Sequence, residues 1–96
     1  AQRVDADHAL RIGLAQQVVP LEELETTVTD YANTIAANAP MTIQAMKFIS
    51  TQVLAKPADR DLAKCDEMVA ACFASEDYKE GRRAFMEKRK PRFQGR

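Results

Sequence analysis

Apolar residues recur every three or four positions through most of the chain, and prolines divide this pattern into segments. Between positions 21 and 38, successive apolar residues are spaced as on one face of an α-helix. Pro40 and Pro57 interrupt the pattern and Pro91 ends it. The sequence therefore predicts an all-α module of four or five helices with little or no sheet. Connections of roughly two to five residues favour antiparallel helical neighbours.

One short segment and four longer ones carry the helical pattern. We expect the short helix to begin near Asp5 and to end at Gly13, because glycine adopts the left-handed conformation at little cost. Residues 16–20 are too few and too β-branched for a helix, and are expected to be extended, at most as one short edge strand closed by Pro20. The longer helices are predicted over residues 21–38, 40–56, 58–74 and 75–90.

The last helix has a clear start and a clear stop. Ser75 is a good N-cap, and Glu76 and Asp77 follow it in the first turn, where the helix dipole favours negative charge. The residue before Pro91 is biased away from helix, so we expect the helix to end near Arg89 or Lys90. The remaining residues form a short extended tail that some other part of the molecule must receive.

Gly81 lies in the interior of this helix, on one face with Tyr78 and Phe85. Glycine in a helix interior costs about 1 kcal/mol relative to alanine. The close approach of a neighbouring helix would offset that cost. We therefore expect Gly81→Leu to disrupt packing or assembly. By contrast, Phe73 in the preceding helix is expected to fill the core.

Charge is unevenly distributed along a chain whose formal net charge is zero. Residues 79–96 contain eight cations and two carboxylates, a net charge of +6, which leaves −6 on residues 1–78. Such a basic end suits an anionic ligand or an acidic partner surface. Lys88, Arg89, Lys90 and Arg92 could hold phosphates, or could be a solvated helix end. Nucleic acid is disfavoured as the ligand, because the aromatic residues form no obvious platform for base stacking.

Residues with catalytic or metal-binding chemistry are few. His8 is the only histidine and is expected to be exposed, rather than an acid–base group tuned by Asp5 and Asp7. Cys65 and Cys72 are separated by a helical rise of about 10.5 Å, too far for a mutual disulfide, which suits a reducing, cytoplasmic compartment. We expect no catalytic residue and no metal site. No apolar run approaches the roughly 20 residues that span a bilayer.

Three groups of residues follow one another at a characteristic spacing. They are Asp7-x-Ala9-Leu10-x-x-Gly13-Leu14-x-x-x-Val18-Val19-Pro20, then Leu24 with Ala32-x-x-Ile35-Ala36-x-x-Ala39-Pro40 and Lys47, and finally Ser75-Glu76-Asp77-x-x-Glu80-Gly81-x-x-Ala84-Phe85-x-Glu87-Lys88-Arg89-x-Pro91-x-Phe93-x-Gly95-Arg96. In order and spacing the chain resembles the C-terminal segment of the enoyl-CoA hydratase/isomerase (crotonase) superfamily along essentially its whole length.

The resemblance implies a fold, an activity and one binding residue. Members place a helical C-terminal part, which packs at a trimer interface, after a catalytic core that binds the thioester carbonyl in an oxyanion hole. The catalytic acids and the oxyanion hole lie upstream of this sequence in the family pattern. Lys88 matches a family lysine that reaches the CoA moiety. Val69 stands where some hydratases place a phenylalanine beside the adenine, so that contact is not implied here.

Two hypotheses follow. The first is that residues 1–96 form a single C-terminal helical domain, a fragment of an enoyl-CoA hydratase or isomerase that uses a CoA thioester as substrate and no cofactor. This domain would serve oligomerisation as a trimer or dimer of trimers, complete the acyl pocket and contact CoA through Lys88. It would bind neither nucleic acid nor membrane, and it would be inactive alone. The alternative is a stand-alone helical interaction module whose basic tail docks on a protein or nucleic-acid partner.

Overall fold

The structure, a computed structural model, describes residues 3–96, and every element of regular secondary structure in that range is a helix. The helices are α1 (Ala6–Arg11), α2 (Leu21–Ala36), α3 (Pro40–Leu54), α4 (Leu62–Ala74) and α5 (Glu76–Met86), with a 3-10 turn at Pro57–Asp59. Within residues 3–96 there is no β-strand, and no helix is both long and apolar enough to cross a membrane. The prediction of an all-α fold is confirmed.

Two compact units divide the chain, residues 1–32 and residues 33–96. That residues 1–96 act as a single domain stays a prediction. In the described part of the first unit, the Asp5 carboxylate accepts a hydrogen bond from the His8 N–H at 2.7 Å and caps α1. Gly13 ends this helix at a φ of +75°, as the sequence predicts.

The segment at residues 16–20 is not helical, as expected, and it does not form the short edge strand that the sequence allowed. A lone extended segment needs a strand edge to pair with, and residues 3–96 offer none. Its contact with α2 is instead a side-chain hydrogen bond, in which the Tyr31 hydroxyl donates to the Gln17 side-chain oxygen at 3.2 Å.

In the second unit, α4 begins later than predicted. Pro57 starts a single 3-10 turn, and the chain leaves it before α4 begins at Leu62. Asp61 provides the cap, its carboxylate accepting from the Lys64 N–H at 2.8 Å. Two cap-competent aspartates, Asp59 and Asp61, lie close together here, and periodicity alone does not decide which of them starts the helix.

Few side chains in residues 3–96 are buried. The buried apolar residues are two alanines, Ala45 and Ala84, and the buried polar residues are Ser75 and Asp77. The expectation that Phe73 fills the core is wrong: it is 61% exposed and packs edge-to-face against Tyr78, with ring centroids 5.1 Å apart. Large apolar side chains remain exposed on every α-helix of the described range, among them Leu10, Leu24, Met46, Val69 and Phe85.

Candidate functional site

The C-terminal tail is received by α5, the helix that precedes it. Ser75 caps α5 as predicted, its hydroxyl accepting from the Tyr78 N–H at 3.0 Å and donating to the Cys72 carbonyl at 2.7 Å. Residues 87–96 then turn back and bond to two acidic side chains of the same helix, Asp77 and Glu80. We call residues 76–96 the latch segment.

Asp77 holds the end of the tail. It is 3% exposed, and its two carboxylate oxygens accept from the backbone N–H groups of Gln94 and Gly95, each at 2.7 Å. Its own N–H donates to the Arg96 carbonyl at 3.0 Å. Sequence reasoning placed Asp77 as a partner of the helix dipole and missed this role. The only signal was the presence of a short polar tail that required a receiver.

Glu80 holds the start of the tail. Its carboxylate accepts two hydrogen bonds from the Arg89 guanidinium, at 2.6 and 3.0 Å, and a third from the Arg92 N–H at 3.0 Å. The Arg89 side chain and then the Arg92 N–H lower the pKa of Glu80 from its ordinary value of 4.5 to about 2. The same pairing raises the pKa of Arg89. The Arg89 guanidinium also bonds to Glu87.

The turn that follows α5 is centred on Lys88. The Lys88 N–H donates to the Phe85 carbonyl at 3.2 Å and the Arg89 N–H to the Ala84 carbonyl at 3.0 Å, which is the Schellman pattern. Lys88 takes the left-handed position with a φ of +54°. Glycine is usual there, and a residue with a Cβ costs roughly 1–2 kcal/mol. The helix therefore ends at Met86, three or four residues before the predicted end at Arg89 or Lys90, because this turn closes it ahead of the proline.

The four cations predicted to hold phosphates have different environments. Lys88, Lys90 and Arg92 are exposed, and within residues 3–96 the Lys88 side chain forms no ion pair. Arg89 is bound to Glu80 and Glu87, so its guanidinium is less available to a phosphate than the other three cations. A polar groove of about 950 Å³ runs beside Arg89, Lys90 and Arg92, and Lys88 does not line it. It is lined by Glu76, Asp77, Glu80, Arg83, Arg89, Lys90, Pro91, Arg92, Gln94 and Arg96.

An apolar groove lies on the other side of α5. Its volume is about 620 Å³, and its lining comes from α3, α4, α5 and the tail. The Phe93 ring closes one part of it and lies against Gly81, where an added Cβ would be 3.5 Å from the ring. The expected neighbour of Gly81 was a helix, and this is wrong, because the tail aromatic takes that place. The lining includes Met41, Ala45, Met46, Ile49, Val69, Phe73, Tyr78, Phe85 and Phe93.

The other chemically interesting residues stay apart. His8 is exposed on α1, as expected, and Cys65 and Cys72 are free thiols on α4. No three His, Cys, Asp or Glu residues in the described part of the chain are grouped so that they could hold a metal ion. The arrangement present in residues 33–96 is one that can bind: an apolar groove on one side of α5 and an exposed ammonium beyond its end.

Comparison with known proteins extends these observations. A model of the enoyl-CoA hydratase/isomerase family matches residues 1–96. The chain is 41% identical over 90 residues to a short-chain-enoyl-CoA hydratase of Clostridium acetobutylicum, a match that covers 94% of this chain and 34% of that protein. It is 37% identical over 98 residues to methylmalonyl-CoA decarboxylase of Escherichia coli, covering 99% and 37% respectively.

A solved structure shows the same fold. The crystal structure of an enoyl-CoA hydratase/isomerase from Mycobacterium paratuberculosis matches with a TM-score of 0.82 at 26% identity, covering 99% of this chain and 38% of that one. The chain thus spans little more than a third of the length of the relatives that it matches.

Proposed function

This chain belongs to the enoyl-CoA hydratase/isomerase family, and we therefore propose that it forms the C-terminal helical part of a longer enzyme acting on acyl-CoA thioesters. The match of the family over all 96 residues carries this proposal. The small buried core and the exposed apolar side chains of the helices support it, because such faces suit burial against further protein.

The proposed activity of the whole enzyme is hydration of a 2-enoyl-CoA or migration of its double bond. Both reactions develop negative charge on the thioester oxygen, which preorganised N–H donors stabilise in enzymes of this kind. We assign no catalytic role to any residue of this chain, and we expect residues 1–96 to be inactive alone. A cofactor other than the CoA of the substrate is not part of the proposal.

The segment's own proposed roles are assembly and substrate binding. Its exposed helix faces would pack in a homo-oligomer, a trimer or a dimer of trimers, and its apolar groove would complete the wall of the acyl pocket. Lys88 would contact the CoA phosphates. Its exposure and its lack of an ion pair within residues 3–96 support this role, because its ammonium is available to a ligand as a point charge. We propose the cytoplasm as the compartment, because both cysteines are free thiols and the cytoplasm is reducing.

Calorimetric titration of CoA into the full-length enzyme tests the binding role. Lys88→Ala removes the ammonium while keeping a Cβ at the same left-handed position, so backbone strain changes little. We expect the affinity for CoA to fall roughly tenfold, equivalent to about 1.4 kcal/mol, and the loss to shrink as salt is added.

Lys90→Ala is the matched control, because it removes an exposed ammonium two positions away. We expect it to change the affinity less than Lys88→Ala does. Equal losses from the two variants would show a general charge effect, and unchanged affinity in Lys88→Ala would overturn the phosphate contact. A coding sequence without an acyl-CoA-binding core upstream of these residues would instead favour the stand-alone interaction module.

A further inference from the structure

The residues on either side of Lys88 are bound to α5, and the Lys88 side chain forms no ion pair in the described range. Arg89 is bound through its guanidinium to Glu80 and Glu87, and through its N–H to the carbonyl of Ala84, which is 1% exposed. On the preceding side, the Glu87 N–H donates to the Arg83 carbonyl at 2.9 Å. Lys88 therefore stands at the apex of a turn whose two flanks are both attached to the helix.

The left-handed conformation of Lys88 needs this support. A non-glycine residue persists at a φ of +54° only where its surroundings over-determine the backbone. The Schellman hydrogen bonds supply part of that constraint. The rest comes from Glu80, which holds Arg89 through two hydrogen bonds and Arg92 through a third, and so closes a loop of chain around residue 88.

Glu80 also removes one cation of the basic run, Arg89, from those free to bind a ligand. Its carboxylate binds Arg89, whereas the side chains of Lys88, Lys90 and Arg92 form no ion pair in the described range. Without Glu80, the Arg89 guanidinium would lose its bidentate partner and the turn would lose its tether to the helix. The backbone at residue 88 would then sample other conformations, and a ligand would have to order the turn as well as the Lys88 side chain on binding.

We propose that Glu80, through its bidentate pairing with Arg89, is a positioning residue that presents the Lys88 ammonium to a phosphate of the CoA substrate. This inference rests on the proposed function, since it presumes the Lys88 contact. Glu80 itself touches no ligand in the proposal. Its effect passes through the backbone of the turn at residues 87–89.

A double-mutant cycle in the full-length enzyme tests the inference, with CoA affinity measured by calorimetry. In the wild-type background we expect Lys88→Ala to weaken binding roughly tenfold. In a Glu80→Gln background we expect the same Lys88→Ala change to weaken binding less than about threefold, because the turn that carries Lys88 is no longer held to α5. If the role of Glu80 were purely structural, Glu80→Gln would lower stability, and Lys88→Ala would still weaken CoA binding roughly tenfold.

Two further backgrounds complete the design. Arg89→Lys keeps a cation but removes the forked donor, so it should reduce the Lys88 effect as Glu80→Gln does, and it serves if Glu80→Gln fails to fold. Glu76→Gln removes an exposed carboxylate of the same helix that pairs with Lys79 and not with the tail. In that background the tenfold effect should persist.

The outcomes separate the inference from its premise. A Lys88→Ala effect that is tenfold in wild type and in Glu76→Gln, but reduced in Glu80→Gln or Arg89→Lys, supports positioning by Glu80. An effect of the same size in all backgrounds overturns the positioning role and leaves the CoA contact intact. No effect in wild type overturns the contact and the inference together.

Discussion

The two ends of the chain use the same kind of residue in different ways. Asp5 at the start of α1 and Asp77 in the first turn of α5 both accept hydrogen bonds from backbone N–H groups. Asp5 is exposed and bonds three positions along its own helix, whereas Asp77 is buried and bonds to residues 17 and 18 positions away. The difference shows that a carboxylate near the start of a helix contributes to tertiary structure only when it binds residues far from it in sequence.

The same contrast holds for the surroundings of each aspartate. In the described part of the first unit α1 has no buried residue, and Leu10 and Leu14 stay exposed. In the latch segment Ala84 is buried, and the tail returns to α5 so that Phe93 lies against Gly81. The N-terminal helix is therefore defined by local contacts, and the latch segment by contacts between residues far apart in sequence.

Replacing Asp77 or Asp5 by alanine is expected to give the largest difference in stability between the two ends of the chain. Asp77→Ala removes the charged acceptor of two part-buried N–H groups, those of Gln94 and Gly95, and we expect the free energy of unfolding to fall by about 2–4 kcal/mol. Asp5→Ala removes one exposed cap, for which we expect a loss of about 1 kcal/mol. Urea unfolding at neutral pH measures both.

Asp77→Asn, which keeps one carbonyl acceptor, should fall between the other two. Trypsin cleavage after Lys88 should also accelerate in Asp77→Ala but not in Asp5→Ala, because only the former releases the tail. Equal losses of stability in the two alanine variants would remove the distinction between the local and the long-range carboxylate.

Alanine at the two glycines is expected to have opposite effects. Gly81 has helical φ and room for a Cβ at 3.5 Å from the Phe93 ring, so Gly81→Ala should stabilise by up to about 1 kcal/mol. Gly13 has open space around it but a φ of +75°, so Gly13→Ala should destabilise by about 1 kcal/mol.

A larger side chain at position 81 completes this comparison. Gly81→Leu must displace the Phe93 ring, and we expect a cost of roughly 1–3 kcal/mol together with altered assembly. Thermal melting and the oligomer size in solution are the measurements. If Gly81→Leu changed neither, the tail aromatic would have no role in packing.

The smallest expected effect is on the pH dependence of stability, which acid titration measures. Because the folded-state pKa of Glu80 is lowered from 4.5 to about 2, its stabilisation is fully present above pH 4.5 and is lost as the pH falls towards 2. Glu80→Gln removes this contribution, so its melting temperature should depend less on pH between 4.5 and 2 than that of the wild type.

Glu76→Gln is the control for the acid titration. The pKa of Glu76 is also lowered, chiefly by its hydrogen bond from Lys79, but this carboxylate is exposed and takes no part in holding the tail. We expect its effect on the pH dependence to be smaller, since exposed ion pairs contribute little. The same acid slope in the wild type and in Glu80→Gln would contradict the role of Glu80 in stability.

The sequence by itself determined the helices and their local caps. Apolar periodicity predicted an all-α chain, and Asp5, Gly13, Pro40 and Ser75 marked boundaries correctly, because a cap or a break acts within one turn of the residue that makes it. The family resemblance, carried by residue order and spacing, is confirmed by the match over residues 1–96.

Only the tertiary structure decided what the latch segment does. The pairing of Arg89 with Glu80, the burial of Asp77 by the tail and the contact of Phe93 with Gly81 join residues 9 to 18 positions apart. All of them depend on a left-handed turn at Lys88, a lysine where glycine is usual. Local propensity cannot foresee such a turn, because its cost is offset by hydrogen bonds that exist only once the tail has folded back on α5.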